Sequence, residues 1–174
     1  GFTTLSESRT PEQIVDLLNR YFTLQVEVIF RYNGTIDKFI GDCIMAFWGA
    51  PLDNPEHACD AVLAAMEMSK VLEKFKQELG DLSADFDVGI GLHSGPAVVG
   101  SIGSSERKEF TAIGDTVNLA SRIEGLTKGV ARILVSKETA SLCQGKLDFE
   151  AFGSYKVKGR EQEVELFSPI QRTT

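Results

Sequence analysis

Thr35-Ile36-Asp37-Lys38-Phe39-Ile40-Gly41-Asp42-Cys43-Ile44-Met45-Ala46-Phe47-Trp48 is the stretch that decides how the chain folds. Apolar, β-branched and aromatic residues fill both halves, and Gly41-Asp42 sits between them. The pattern predicts a strand hairpin with its turn at that pair, and Cys43 to Trp48 is apolar enough for a buried strand. Asn33-Gly34, just upstream, breaks a helix. That helix opens at Thr10-Pro11-Glu12, with a hydroxyl N-cap, Pro at the first position and an acid in the first turn. Behind it Ile14, Leu17, Leu18, Tyr21, Val28 and Ile29 recur at helical spacing. Downstream, Asn54-Pro55-Glu56 predicts a second helix start of the same kind. Ala58, Val62, Ala65, Met66, Leu72 and Phe75 line one face of this helix, and Gly80 ends it.

The remainder continues the mixture. Residues 86–93 alternate as a strand, with Phe86, Val88, Ile90 and Leu92 on one side. Residues 97–102 and 109–113 predict a second hairpin with a polar tip at 103–106. A short helix is expected over 116–126 and a strand over 133–135. Ser136 should cap another short helix that ends near Gly145, and 149–167 should give two strands around Lys158-Gly159-Arg160. Hairpins among strands, interspersed with helices, predict an α+β fold: a mostly antiparallel mixed sheet flanked by helices. The 174 residues, 43% of them hydrophobic, suit a single domain over 1–174 with one sizeable core.

A formal net charge of −7 argues against nucleic-acid binding and against contact with an anionic membrane. An anionic substrate would need its positive partners gathered locally. The three cysteines, Cys43, Cys59 and Cys143, are widely spaced with no CxxC, which predicts packed, reduced thiols in a cytoplasmic setting rather than a disulfide framework or zinc site. No apolar run is long enough to span a bilayer and no signal peptide is visible. The chain starts at Gly-Phe-Thr-Thr without a Met, so a fragment of a longer protein is expected.

Four segments could carry chemistry. Gly1-Phe2-Thr3-Thr4-Leu5-Ser6 is small and hydroxyl-rich; it offers backbone N–H groups to an anion or is an ordinary loop. Asp42, beside Gly41 at a tight turn, is either a turn residue or an oxygen ligand for a hard cation such as Mg²⁺. Asn118 and Arg122, four apart, share a helix face. There they hold a sugar oxygen and a phosphate, or they are simply solvated. The basic run from Tyr155 to Arg160, including Lys158, clamps phosphates or is an exposed hairpin turn. His93 and the Met66/Met68 face read as structural.

The ordered set is more specific than its parts. Gly-Phe-Thr-x-Leu-Ser-Glu, Phe-Ile-Gly-Asp, Gly-Leu-His-Ser-Gly, Ile-Gly-Asp-Thr-Val-Asn-Leu-Ala-Ser-Arg and Val-Lys-Gly-Arg together resemble the class III adenylyl/guanylyl cyclase catalytic domain, nearly end to end. The resemblance implies the ferredoxin-like-derived fold of that family, with active sites shared between the two subunits of a head-to-tail homodimer. It implies the conversion of ATP to 3′,5′-cyclic AMP and pyrophosphate with a pair of Mg²⁺ or Mn²⁺ ions. Asp42 matches one of two metal-binding aspartates; the other would sit just before Gly1, outside this chain. Phe2, Thr3 and the Gly41 turn match the segments around the triphosphate, and Lys158 matches the lysine that grips its terminal phosphates. Asn118 and Arg122 match the ribose-orienting and charge-stabilising pair from the other subunit.

Base choice, by the same resemblance, falls to Lys38, which donates to adenine N1, and Thr111, whose hydroxyl can accept from the adenine amino group. The Lys/Thr pair resembles the bacterial and soluble subgroup, in which bicarbonate stimulates, so bicarbonate regulation is carried over as an expectation. So is a sensor domain upstream in the parent protein. The alternatives are a guanylyl cyclase, opposed by Lys38, and an inactive cyclase-like dimerisation module. The presence of Lys38, Asp42, Asn118, Arg122 and Lys158 together opposes the latter.

Overall fold

The structure, a computed structural model, describes residues 9–80 and 86–171. Phe2 and Thr3 therefore lie outside the described residues. Helix α1 spans Pro11–Arg31 and starts as the sequence predicts, with a reciprocal capping box: Gln13 N–H donates to Thr10 Oγ1 and Thr10 N–H to Gln13 Oε1. Its buried stripe is Leu17, Tyr21, Gln25, Val28 and Ile29. Leu17 and Tyr21 pack with Leu72 and Phe75 of helix α2 (His57–Leu79) and with Phe86. Tyr21 meets the Phe86 ring edge-on at 5.3 Å.

Helix α2 does not begin as α1 does. Asn54 Oδ1 accepts from Glu56 N–H and Asn54 O from His57 N–H, so the Asn closes a turn ahead of the helix, and the first helical residue is His57. The Asn54 amide is also held by Asp60 Oδ2 at 2.9 Å. Gly80 ends the helix at φ +62°, as expected.

Strands β1 (Thr35–Ile40) and β2 (Cys43–Phe47) form the expected hairpin, and Gly41 turns it at φ +61°. The second strand is not buried as predicted. Cys43 is exposed and Ile44 to Phe47 are half-exposed, so among the described residues nothing covers that face fully. Cys43 is accordingly not a packed thiol, whereas Cys59 and Cys143 are buried. Strands β4 (Val98–Gly103) and β5 (Lys108–Ile113) make the second hairpin.

Between the hairpins lies β3, only Ile90–Leu92 rather than the whole of 86–93. Upstream of it Phe86 leaves the alternation to join the α1–α2 aromatic cluster, and Asp87 turns to Arg132 (2.8 Å). β3 pairs in parallel with β6 (Ile133–Ser136); β6 and β7 (Asp148–Tyr155) pair antiparallel with β8 (Val164–Ile170), giving the order β3-β6-β8-β7. Helix α3 (Asp115–Gly125) lies across β3 and β6 and buries Leu119 and Ile123 against Leu134, Val157 and Leu166. Helix α4 (Lys137–Leu142) is capped by Ser136, as predicted. The result is an α+β arrangement of a mixed sheet and antiparallel hairpins, with helices packed against it.

Candidate active site

Two clusters gather the residues singled out above. The first joins β1 to β5. Its centre is Asp37, which sequence reading passed over. The β1–β2 register slips between Ile36 and Lys38: Ile36 faces Ala46 and Lys38 faces Met45, so Asp37 is the extra residue of a β-bulge. Ordinary pleating would send Asp37 and Lys38 to opposite faces. The bulge instead lets both reach β5. The Asp37 carboxylate is fully buried. It accepts from Thr111 Oγ1 at 2.8 and 2.9 Å and from Ala112 N–H at 2.9 Å. Lys38 Nζ lies 3.7 Å from Asp37 Oδ1 and 3.3 Å from Glu109 Oε2, with about a third of its side chain exposed. The two residues matched to base reading are thus linked through one carboxylate. No sequence signal marked it, because a bulge breaks the very period on which strand reading depends.

The second cluster surrounds the start of α3. Gly114, at φ +133°, precedes the helix, which starts without a side-chain cap. Thr116 Oγ1 instead donates to Pro96 O. Asn118 and Arg122 are both exposed on the helix. The β7–β8 loop carries Lys158, also exposed, and turns at Gly159 (φ +87°). Arg160 Nη2 lies 2.5 Å from Asp115 Oδ2, which ties that loop to the first turn of α3. Lys158, Asn118 and Arg122 are therefore carried by two segments held together. A basic loop and an exposed amide and guanidinium suit a phosphorylated sugar.

Asp42 is exposed on the β1–β2 turn. Its charge and, first, burial push the Glu124 carboxyl above its usual range. Among the described residues no group of three or more His, Cys, Asp or Glu is assembled around a metal position. One exposed carboxylate fits Mg²⁺ or Mn²⁺ as part of a ligand set, since hard cations take oxygen donors and Mg²⁺ commonly uses one or two carboxylates plus substrate phosphates. His93 lies beside the second cluster, close enough to feel Arg160 and Asp115. Its Nδ1 pairs with Ser136 Oγ at 2.8 Å behind the start of α4, and burial lowers its pKa. The Cys43 thiol, though exposed at the surface, is also raised above its ordinary value, first by partial desolvation and then by the Glu124 and Asp42 carboxylates. Among the described residues no helix is long and apolar enough to cross a membrane.

The sequence model of the adenylate and guanylate cyclase catalytic domain matches residues 1–168. Adenylate cyclase 1 of Rhizobium meliloti (strain 1021) is 40% identical over 172 residues, covering 97% of this chain and 26% of that protein, so the chain spans about a quarter of that relative. The crystal structure of the adenylyl cyclase CyaB from P. aeruginosa is similar at 33% identity and a TM-score of 0.87, over 99% of this chain and 90% of the other. That of the guanylyl cyclase Cya2 is similar at 34% identity and a TM-score of 0.88, over 97% and 86%.

Proposed function

Because the chain belongs to the adenylate and guanylate cyclase catalytic domain family, we propose that it converts ATP to 3′,5′-cyclic AMP and pyrophosphate at sites shared between two copies in a head-to-tail homodimer. The observation that carries the choice of ATP is the Lys38–Asp37–Thr111 cluster. An ammonium donates to adenine N1, an acceptor; guanine carries a donor at that edge and would oppose it. The similar guanylyl cyclase structure keeps GTP as the second reading, and Lys38 is the residue that argues against it.

In the reaction the ribose O3′ attacks the α-phosphorus. The bond from that phosphorus to the bridging oxygen breaks, pyrophosphate leaves, and the 3′ proton is lost to solvent or base. Asn118 holds the ribose so that O3′ is in line, and Arg122 stabilises charge gathering on the α-phosphate oxygens. Lys158 binds the terminal phosphates, with Phe2, Thr3 and the Gly41 turn around the triphosphate. Asp42 would hold metal, and Mg²⁺ or Mn²⁺ there would acidify the 3′-hydroxyl and neutralise phosphate charge.

A shared site accounts for what one chain leaves uncovered. Phe39, Ile40, Val98, Phe110 and Ile113, on the two hairpins, are 44–63% exposed, an apolar surface that a second copy would bury. We place the domain in the cytoplasm, where ATP is abundant, under an upstream sensor in the parent protein. Bicarbonate regulation rests on the Lys/Thr pair alone, and a titration that leaves turnover unchanged removes it.

The test is nucleotide turnover with Mn²⁺, offering ATP and GTP separately to protein extended upstream by about ten residues, roughly one strand. Asp42→Ala and Arg122→Ala should each be inactive. Mixed, random pairing makes half the dimers mixed with one intact site each, so about a quarter of the original activity should return. No product from either nucleotide would favour a dimerisation module without chemistry; no recovery on mixing would sink the shared site.

A further inference from the structure

The bulge at Asp37 buries a carboxylate against a residue matched to the base. We propose that Asp37 is a positioning residue for base selection: it fixes the Thr111 hydroxyl as a hydrogen-bond acceptor and so lets that oxygen read an exocyclic amino group. The inference rests on the nucleotide-binding reading above and deepens it.

A hydroxyl carries one proton and two lone pairs, and an ionised carboxylate only accepts. Both Asp37 oxygens lie within 2.9 Å of Thr111 Oγ1, so the Thr111 proton points inward whichever oxygen takes it. What Thr111 presents outward is then lone pairs. These attract the 6-amino group of adenine and repel the 6-oxo group of guanine. Without the carboxylate the hydroxyl could rotate and donate, and it would suit either base. Asp37 itself cannot rotate away, because Ala112 N–H holds Oδ2 at 2.9 Å. Lys38 Nζ lies 3.7 Å from the same carboxylate, which sets the N1-reading donor beside the amino-reading acceptor. Thr111 is only 5% exposed, so the oxygen meets the base by this outward face or not at all.

The test uses the full-length parent protein and compares ATP with purine riboside triphosphate, which keeps the N1 acceptor and lacks the 6-amino group. One hydrogen bond of ordinary worth predicts a preference for ATP of about 2- to 13-fold in kcat/KM. Asp37→Asn keeps one oxygen for Ala112 N–H and turns an N–H toward Thr111 Oγ1, so the hydroxyl now accepts from the amide and its proton is no longer held between two acceptors. The preference should then fall to about 1- to 2-fold or below, and the ATP-over-GTP ratio should drop with it. Thr111→Val should lose the same preference, Thr111→Ser should keep it, and combining Asp37→Asn with Thr111→Val should cost no more than Thr111→Val alone. Equilibrium binding of the same nucleotides supplies the ratio independently of turnover. Wild-type protein that prefers ATP while Asp37→Asn retains that preference overturns the inference, as does a wild type indifferent to the 6-amino group. A wild type that binds with the predicted ratios but forms no cyclic product sinks the proposed reaction and leaves the inference standing.

Discussion

Gly91 is the position where one added carbon should disturb the proposed site from behind. It lies in the middle of β3 beneath α3. A Cβ there would stand 2.3 Å from Glu124 N, 2.7 Å from Glu124 Cα and 2.8 Å from Ala120 O, where ordinary contact begins at 3.4 Å. The worst overlap is thus about 1.1 Å, and all the obstructing atoms are backbone, so no side chain can swing aside to relieve it. Either β3 or α3 must move by about that distance. Overpacking of this kind costs about 1–3 kcal/mol, or roughly 2–12 °C in melting temperature for a domain of this size. Because α3 carries Asn118 and Arg122, a shift of about 1 Å should also lower kcat by up to about a hundredfold. Gly125, in the same helix, is the matched control: nothing lies within 4 Å of its Cβ position and its φ is not positive. Gly125→Ala should therefore be neutral, or stabilising by up to about 1 kcal/mol. The measurements are thermal unfolding and cyclic AMP formation for Gly91→Ala, Gly125→Ala and the unsubstituted protein. Gly91→Ala melting within a degree of the parent at full turnover would refute the claim that backbone contact sets the height of α3.

Two further outcomes follow from the same geometry. Lys38→Glu combined with Thr111→Cys replaces the donor at N1 with an acceptor and the hydroxyl acceptor at the amino position with a thiol, a weak donor and weaker acceptor, so the kcat/KM ratio of GTP to ATP should rise about tenfold or more in parallel assays with each nucleotide; an unchanged ratio would remove both residues from base reading. His93 is disfavoured as a cation chiefly by burial, with Arg160 acting in the same direction and Glu138 and Asp115 opposing. The unfolded chain therefore binds the proton more readily, and stability should fall as pH drops below the ordinary histidine value of about 6.5. Urea midpoints at about pH 7.5 and 5.5 should differ less in His93→Gln than in the parent, and equal differences would count against a buried neutral imidazole.

Local rules were legible where a single segment could satisfy them. Thr10, Pro11 and Gln13 cap α1 among themselves, Gly41 and Gly80 stop their elements through positive φ, and Ser136 caps α4 from the adjacent residue. Each depends on neighbours within one turn of chain. The misreadings share a cause of longer range. Asn54 looked like a helix cap, but its amide is held by Asp60 and its carbonyl groups are spent on a turn. Phe86 looked like the start of a strand, but Tyr21 and Phe75 offer its ring a better burial than the sheet does.

Asp37 is the extreme case of the same effect, and it shows why motif matching reached Lys38 and Thr111 without the residue between them. Its partners are 74 and 75 positions away, and its side chain reaches them only because the strand is out of register there. A bulge gives up one ladder pairing, and two hydrogen bonds to one buried carboxylate, from the Thr111 hydroxyl and from Ala112 N–H, offset that loss. If the site needed only an ammonium at the base edge, a regular strand bearing Lys38 would provide it. The irregularity is explained if the base is read by two groups of opposite hydrogen-bonding sense, because a hydroxyl acquires a fixed sense only from a neighbour that cannot donate.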